Sequence, residues 1–461
     1  MQCATIQKSA EKLISIAALA ILTSVLAFTS AARAQTETVL YSFTGQTGDG
    51  ASPIGNLVSD AEGNLYGTTY SGGSYSGSVC SFSGCGTVYE LSPALGGGYT
   101  ESVIYTFSGG ADGGSPAAGL VADAAGNLYG TTVFGGQGGS SECTIGPSTG
   151  CGVVFELSPK SGGGWTEQVL YSFLGGSDGF LSESPVAFDA SGNLYGTTLL
   201  GGSHTGCCGE VFELSPNVSG GWHYTKLHSF TGGKDGGRPE AGVTVDSAGN
   251  LFTTTSIGGN TADCPTNSGC GTVVELSPTG SGTFTGRILH TFTGKADGGV
   301  PYAGLTLDKA GNLYGAAIYG GYAGGPCNKL NGVGGCGVIF EFSPAGSSYT
   351  AKVLYRFQGT NNVASPYSTL TIDGSGNLYG TGYSQINFEG YVFEVSPTQS
   401  GSWNETTLYT FTGGTDGGTP FNNGVILGSN GTLYGAAQSN GIAGGCSNFA
   451  NGCGVVYKIT R

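Results

Sequence analysis

Six aspartates recur in one glycine-rich motif, and their chemistry is that of a cation or ligand site. The motif reads GADGGSP or GTDGGTP in its clearest copies, and its aspartates are Asp49, Asp112, Asp178, Asp235, Asp297 and Asp416. Calcium prefers oxygen ligands, which carboxylates and the carbonyls of glycine loops supply. Asp before Gly is also the ordinary composition of a turn whose carboxylate accepts local N–H bonds. We therefore weigh a calcium or ligand site, with no cofactor required, against six self-capped turns, which we favour.

Ten of the 13 cysteines form close pairs along the chain. The pairs are Cys80 with Cys85, Cys143 with Cys151, Cys264 with Cys270, Cys327 with Cys336, and Cys446 with Cys453. In an oxidising compartment such local pairs predict disulfide bonds. Zinc is the alternative, but the pairs lie far apart along the chain and lack nearby histidines.

Two further cysteines, Cys207 and Cys208, are adjacent. Their Cα atoms must lie about 3.8 Å apart, which is closer than in most disulfides, so a bond between them would be strained. Strained backbone is often retained at functional sites, and we include the pair among the candidate ligand-binding residues. A reduced pair, or an incidental bridge in a short loop, is an equal alternative.

No catalytic group is evident in the sequence. The histidines are scattered over different repeats as His204, His223, His228 and His290, whereas Ser-His-Asp catalysis needs convergence. The repeated aspartates could supply two carboxylates for glycan cleavage, but identical copies do not predict two different pKa values. An enzyme would need residues unique to one or two repeats. The third and sixth repeats, with His204, Asn361 and Asn362, are the places to look.

A second motif shows how the chain is organised. The string GNLYGTT occupies residues 63–69 and recurs unchanged from Gly126 and Gly192, and four variants of it begin at Gly249, Gly311, Gly376 and Gly431. Repeats at spacings of 55 to 66 residues are typical of radial or stacked architectures. This periodicity outweighs the disorder that 90 glycines would otherwise favour.

Each repeat contains four short strand patterns, which we call a, b, c and d. In the second repeat they are residues 119–123, 127–133, 152–158 and 166–173. Four antiparallel strands repeated radially form the blades of a β-propeller. The chain also supplies a d pattern at 36–43 with no blade before it, and ends on a c pattern at 454–461 with no d after it. We predict an all-β, seven-bladed β-propeller closed by pairing of the N-terminal strand with the C-terminal blade.

The strand order places the loops on two faces. Because neighbouring strands are antiparallel, the d-to-a loops with the aspartates and the b-to-c loops with the cysteines share one face, which we call the top. If the a strands line the central channel, the six carboxylates could ring its entrance. On the opposite face, short runs such as DAEGN at residues 60–64 predict tight Asp-capped hairpins rather than calcium loops.

The spaced pattern GGxDGGxP, GLVxD, GNLYGTT, CGxVxELSP and VLYxF resembles the GloVer tandem repeat family of bacterial secreted proteins. The resemblance covers nearly all of the chain after residue 34. It implies a bacterial origin, export and a β-rich repeat array. It carries no catalytic residue set, so it leaves the activity open.

The first residues predict export. Lys8 and Lys12 precede an apolar run at 13–28, and Ala-Arg-Ala at 32–34 fits a cleavage site, so we assign residues 1–34 to a signal peptide and 35–461 to one propeller domain. A membrane anchor is the weaker alternative because the run is shorter than the roughly 20 residues needed to span a bilayer. Removing this segment makes the formal charge of −15 more negative by two, which argues against nucleic acid and anionic membranes as partners.

Together these features favour a secreted protein, extracellular or periplasmic, with no membrane span after cleavage. We expect a monomeric, non-catalytic binding or surface-interaction propeller that holds a polysaccharide or a cell-surface protein on its top face. The alternative is a secreted glycan hydrolase or lyase that uses acidic residues of that face.

Overall fold

The computed structural model describes residues 35–461 except for a set of loop positions. These gaps are 75–79, 81–82, 138–142, 144–148, 204–206, 263, 265–267, 281, 322–326, 328–333, 360–362, 384–388, 421, 442–445 and 447–451. The proposed signal peptide, His204, Asn361 and Asn362 therefore lie outside the described residues. Glu37–Thr460 form one compact unit. Within the described part of the chain, no helix is long and apolar enough to cross a membrane.

The compact unit consists of seven antiparallel sheets of four strands each. Blade 1 contains β2 (Gly50–Ser59), β3 (Leu65–Gly72), β4 (Thr87–Pro93) and β5 (Tyr99–Thr106). Blade 2 contains β6 (Val121–Ala122), β7 (Leu128–Thr131), β8 (Val153–Pro159) and β9 (Trp165–Ser172). Blade 3 contains β10 (Ala187–Phe188), β11 (Leu194–Thr198), β12 (Glu210–Pro216) and β13 (Trp222–Ser229). Blades 4 and 5 contain β14 (Thr244–Val245), β15 (Leu251–Thr255), β16 (Thr272–Pro278) and β17 (Phe284–Thr291); and β18 (Thr306–Leu307), β19 (Leu313–Ala317), β20 (Val338–Ala345) and β21 (Ser348–Arg356). Blades 6 and 7 contain β22 (Thr371–Ile372), β23 (Leu378–Tyr383), β24 (Gly390–Pro397) and β25 (Trp403–Thr410); and β26 (Ile426–Leu427), β27 (Leu433–Ala437) and β28 (Val455–Thr460), completed by β1 (Thr36–Ser42). A single 3-10 turn at Gly176–Asp178 is the helical element of the described residues.

The N-terminal strand closes the ring, as the strand count predicts. β1 pairs with β28 and forms the outer edge of blade 7. Just beyond these strands, the Phe43 N–H donates to the Gly454 carbonyl at 3.0 Å, which extends the pairing within blade 7. The side-chain amide of Asn423 donates to the Pro53 carbonyl at 3.0 Å, so the inner strands of blades 7 and 1 are joined as well. The C-terminal strand β28 is therefore not left as an unpaired edge.

The hydrophobic core lies between neighbouring blades. A phenylalanine at the end of each d strand packs against the c strand of the next blade, and Phe43, Phe107, Phe173 and Phe230 are fully buried there. The Phe107 ring meets Phe155 edge-on at 5.1 Å between centroids, a favoured geometry for aromatic pairs. The aromatic residues of the d and c patterns thus stabilise the ring rather than the individual sheet.

A threonine hydroxyl links the inner strands of adjacent blades. The first threonine of the GTT string donates to a carbonyl at the start of the next a strand, as in Thr131 to Ser184 at 3.1 Å. Four other blades repeat this contact, through Thr68 to Ala118, Thr197 to Ala241, Thr254 to Ala303, and Thr381 to Asn423. Ala316 of blade 5 and Ala436 of blade 7 have no hydroxyl at this position. In blade 7, the Asn423 amide joins the blades instead.

Replacing Thr131 with valine is expected to destabilise the protein by about 1–3 kcal/mol, because buried carbonyls would lose their donor while the side-chain volume is kept. Thr131 also donates to the Ser182 carbonyl at 3.2 Å, so two acceptors are affected. Chemical denaturation measures the change. The control is Thr100→Val on the exposed face of a d strand, which should change stability by less than about 0.5 kcal/mol. Equal effects of the two substitutions would contradict the linking role.

The turns opposite the top face are Asp-capped hairpins, as the sequence predicts. Asp60 accepts N–H bonds from Glu62 and Asn64 through one carboxylate oxygen, at 3.0 and 2.8 Å. Its other oxygen accepts bonds from the Asn64 amide and the Tyr66 hydroxyl. These hydrogen bonds hold the pKa of Asp60 below its ordinary value against the opposing effect of burial. The same arrangement recurs at Asp123, Asp308 and Asp373.

Candidate functional site at the channel mouth

The six motif aspartates accept hydrogen bonds within their own loops. Asp112 accepts bonds from the backbone and hydroxyl of Ser108 and, at 3.1 Å, from the hydroxyl of Tyr105 on strand d. Asp178 and Asp416 contact Tyr171 and Tyr409 of their d strands in the same way. Equivalent contacts join Asp49 to Thr44, Asp235 to Thr231 and His228, and Asp297 to Thr293 and His290.

This placement points the carboxylates toward strand d, the outer strand of the blade. Across the described residues, no group of three or more His, Cys, Asp or Glu side chains is arranged to hold a metal ion. None of the six aspartates lines the channel cavity described below. Their role in binding calcium or another ligand stays a prediction, and their contacts are those of turn caps.

The five local cysteine pairs are disulfide-bonded, which confirms the prediction from their spacing. Cys207 and Cys208 are bonded to each other, with Cα atoms 3.7 Å apart. Cys207 is exposed, whereas Cys208 is buried beside Phe230. The sequence left the redox state of this pair open, and the vicinal bond is what the structure contains.

The disulfide loops position the start of the next blade. The carbonyl of Cys208 accepts the Arg238 N–H at 2.9 Å, and the carbonyl of Cys270 accepts the Val300 N–H at 2.8 Å. Arg238 and Val300 have φ values of 54° and 57°, a conformation that side-chain-bearing residues rarely adopt. Each of these hydrogen bonds therefore holds a residue whose backbone conformation is strained. Two residues later the chain reaches the wall of the central channel.

That wall position carries different chemistry around the ring. It is Ile54 in blade 1, Ala117 in blade 2, Glu183 in blade 3, Glu240 in blade 4, Tyr302 in blade 5 and Tyr367 in blade 6. All but Ile54 line a cavity that is partly open to solvent and is bordered by residues of all seven blades. We call this cavity the channel mouth.

Two glutamates form the acidic part of the channel mouth. Burial is the main cause that raises the pKa of Glu240 to about 7, and the nearby Glu183 carboxylate raises it further. The Ser256 hydroxyl, 2.8 Å from a Glu240 carboxylate oxygen, and the Arg238 guanidinium act in the opposite direction. Burial also raises the pKa of Glu183. Both carboxyls are therefore harder to ionise than a carboxyl in water.

Tyrosines form the aromatic part of the channel mouth. The rings of Tyr302 and Tyr367 are stacked, with centroids 5.4 Å apart and planes 24° apart. Tyr383 of blade 6 lies 5.2 Å from Tyr367 at a tilt of 52°. Tyr319 is close enough to raise the pKa of both Tyr302 and Tyr367, for which burial is the main cause. The phenols of Tyr302 and Tyr367, which line the cavity, therefore stay neutral.

Below the wall position, the backbones of neighbouring inner strands meet. A Cβ atom at Gly55, where φ is +80°, would lie 1.9 Å from the backbone nitrogen of Gly119, so only glycine fits there. On the other side of the ring, the Gly304 N–H donates to the Thr369 hydroxyl at 3.0 Å. These contacts give the channel mouth a rigid base.

Sequence reasoning missed the channel mouth because it concentrated on what the repeats share. The residue after the proline of GRP, GVP and ASP changes from Glu240 to Tyr302 to Tyr367. In blade 3, the serine-rich sequence around Glu183 hides the fact that this residue occupies the same wall position. Comparing which position differs most in chemistry between repeats would have found the site.

The fold and this cavity define a class of protein, a seven-bladed β-propeller with an asymmetric site at one end of its channel. A family profile described as Gloeobacter/Verrucomicrobia repeat matches residues 80–327. The chain belongs to this repeat family, which confirms the resemblance seen in its motifs. A search of curated proteins finds no match.

Similar solved structures include a polysaccharide lyase of family PL25, an ulvan lyase, at 10% identity and a TM-score of 0.49 over 91% of this chain and 95% of that one. A Trichoderma reesei carbohydrate-active enzyme of family AA12 has 12% identity and a TM-score of 0.43 over 94% and 97%. The aldose sugar dehydrogenase of Streptomyces coelicolor has 12% identity and a TM-score of 0.41 over 82% and 98%. At these values the similarities carry no argument about function.

Proposed function

We propose that this protein is an exported, non-catalytic binding propeller that holds a saccharide at the channel mouth. The observation that carries the proposal is the break in sevenfold symmetry at one wall position. The GNLYGTT and DGG motifs recur around the ring, but here blades 3 to 6 carry Glu183, Glu240, Tyr302 and Tyr367 where blades 1 and 2 carry Ile54 and Ala117. Carboxylates accept hydroxyl donors, and tyrosine faces pack against apolar ligand surfaces, which is the mixture typical of a polar-ligand pocket.

The state of the titratable groups favours binding over catalysis. Acid–base chemistry needs two groups whose surroundings push their pKa values apart. At the channel mouth the pKa values of both glutamates and of Tyr302 and Tyr367 are raised, mainly by burial. No member of this set has a lowered pKa, so the set lacks the pair of groups with opposite shifts that would divide the roles of acid and base. The glycan hydrolase or lyase alternative therefore has less support.

Export is part of the proposal and has separate support. Five local disulfides and one vicinal disulfide are the chemistry of an oxidising compartment. The basic and apolar segment at residues 1–34 fits a secretion signal.

The test is calorimetric binding of a panel of neutral, acidic and amino oligosaccharides. We expect at least one to bind, and Tyr302→Ala to weaken that binding by about tenfold or more, because an aromatic contact of about 1.4 kcal/mol would be lost. Asp112→Asn, in an outer loop, is the control and should leave the affinity unchanged. Absence of binding across the panel, or a greater loss with the control, would contradict the proposal. Release of a cleaved product would replace it with the enzyme alternative.

A further inference from the structure

The channel mouth has an excess of acidic groups. Glu183 and Glu240 face the cavity from adjacent blades, while Arg238, at the exposed rim, is the cation that acts on Glu240. When both carboxyls are ionised they outnumber the guanidinium by one. The whole chain adds a formal charge of −15, which repels anions over a longer range. A ligand that enters as a cation relieves the repulsion between the two carboxylates.

The aromatic wall favours the same kind of ligand. The faces of aromatic rings are negative and attract ammonium groups, an interaction that strengthens when the pair is withdrawn from water. Tyr302 and Tyr367 line the cavity with ring centroids 5.4 Å apart, and the Tyr383 ring lies 5.2 Å from that of Tyr367. The Glu240 carboxylate is close enough to raise the pKa of Tyr302, so the tyrosines and the two glutamates are neighbours.

A neutral or anionic saccharide would use this arrangement poorly. A neutral sugar leaves the two carboxyls to be neutralised by a proton, and an anionic sugar adds a third negative group near them. A positively charged amino group satisfies a carboxylate and an aromatic face at once. Among the described residues that line the cavity, which include Ala117 and Asn422, none carries a positive charge.

We infer that the saccharide bound at the channel mouth carries a free amino group, whose ammonium lies between Glu183 and Glu240 beside the tyrosine wall. This inference rests on the proposed function, since it specifies the ligand of the same site. Its chemical class is an amino sugar, with glucosamine oligomers as the simplest probe.

The experiment compares the glucosamine tetramer with the N-acetylglucosamine tetramer by calorimetry at about pH 7, where an amine is still mostly charged and Glu240, with its pKa of about 7, is partly ionised. We expect the glucosamine tetramer to bind about tenfold more tightly. The double variant Glu183→Gln, Glu240→Gln keeps the shape of the cavity and should abolish this preference. Glu167→Gln, at the outer edge of blade 2, is the matched control and should preserve it. Thermal melting of each variant verifies that it is folded.

Three outcomes separate the inference from the proposed function. Equal binding of both tetramers, or tighter binding of the acetylated one, overturns the inference and leaves a saccharide site in place. A preference for the amine that survives in the double glutamine variant also overturns it, because the carboxyls would not be responsible. Failure of both tetramers and of every other saccharide of the panel overturns the proposed function itself.

Discussion

Replacing Phe43 with alanine is expected to destabilise the protein by about 3–5 kcal/mol, the cost of removing a fully buried aromatic side chain. Phe43 follows β1 and is 0% exposed. Its ring meets Tyr89 of blade 1 at 5.0 Å between centroids, so it fills the space between the last blade and the first. The expected loss is large because the surrounding side chains can relax only partially into the cavity that the missing ring leaves. Chemical denaturation followed by tyrosine and tryptophan fluorescence measures it.

The comparison variant is Phe173→Ala, which removes the equivalent ring between blades 2 and 3. Phe173 is also 0% exposed and meets Phe212 at 5.3 Å. If the closing interface is packed like the internal ones, both variants lose a similar amount of stability. A loss below about 1 kcal/mol for Phe43→Ala alone would mean that the ring is open at that place.

Stability should decrease as the pH rises from about 5 to about 8, in contrast to proteins stabilised by ionised carboxylates. Burial, with help from a nearby aspartate, raises the pKa of Glu37, Glu101 and Glu167 from 4.5 to about 7. One carboxyl oxygen of each is buried with no hydrogen-bond partner. The neighbouring aspartates are Asp416, Asp49 and Asp112, all of the top loops.

The direction of this change in stability with pH depends on whether the folded or the unfolded protein binds the protons more tightly. The folded protein binds these protons more tightly than the unfolded chain does, so their contribution is fully present below pH 4.5 and is lost as the pH rises through about 7. Each glutamate is partly exposed, and solvent screening reduces its contribution to about 1 kcal/mol. Asp60, Asp123 and Asp416 act in the opposite direction below about pH 4, because their pKa values are lowered by hydrogen bonds. The maximum of stability is therefore expected in mildly acidic solution.

Thermal melting across this pH range provides the measurement. The variant Glu101→Gln, Glu167→Gln should flatten the decline, since the amide does not ionise. Blades 4 and 5 supply a natural comparison, because Gly286 and Ala351 occupy the position that Glu101 and Glu167 hold against strand c. A melting temperature that rises from pH 5 to pH 8 would show that these glutamates are ionised in the folded protein.

The fold was predictable because each of its determinants repeats. Seven copies of GNLYGTT identify the blades, and the unpaired d pattern at 36–43 indicates the closing strand. The short hydrophobic strands and the Asp-capped turn at Asp60 are local features that a single sequence carries. The hydroxyl link from Thr131 was not predictable, because its acceptor lies 53 residues away and is a backbone carbonyl with no sequence signature.

The site that we propose lies on the same face as the motif aspartates but consists of other residues. The motif aspartates draw attention because they recur, yet recurrence is the mark of a structural role, and Asp112 caps its own loop. Glu183 and Glu240 stand 57 residues apart and become neighbours only through the ring. Tyr302 and Tyr367 likewise read as ordinary strand residues until the inner wall is built. A site made of one residue per blade carries no local motif.

Hydrogen–deuterium exchange with and without the saccharide that binds best in the panel is the most direct test of ligand binding at the channel mouth. If the ligand binds at the channel mouth, binding should slow exchange in residues 238–243, 300–304 and 365–369, which carry Glu240, Tyr302 and Tyr367. The motif-aspartate loop at 109–113 should exchange at the same rate in both states. Protection of that loop with no change at 238–243 would show that the saccharide does not bind at the channel mouth.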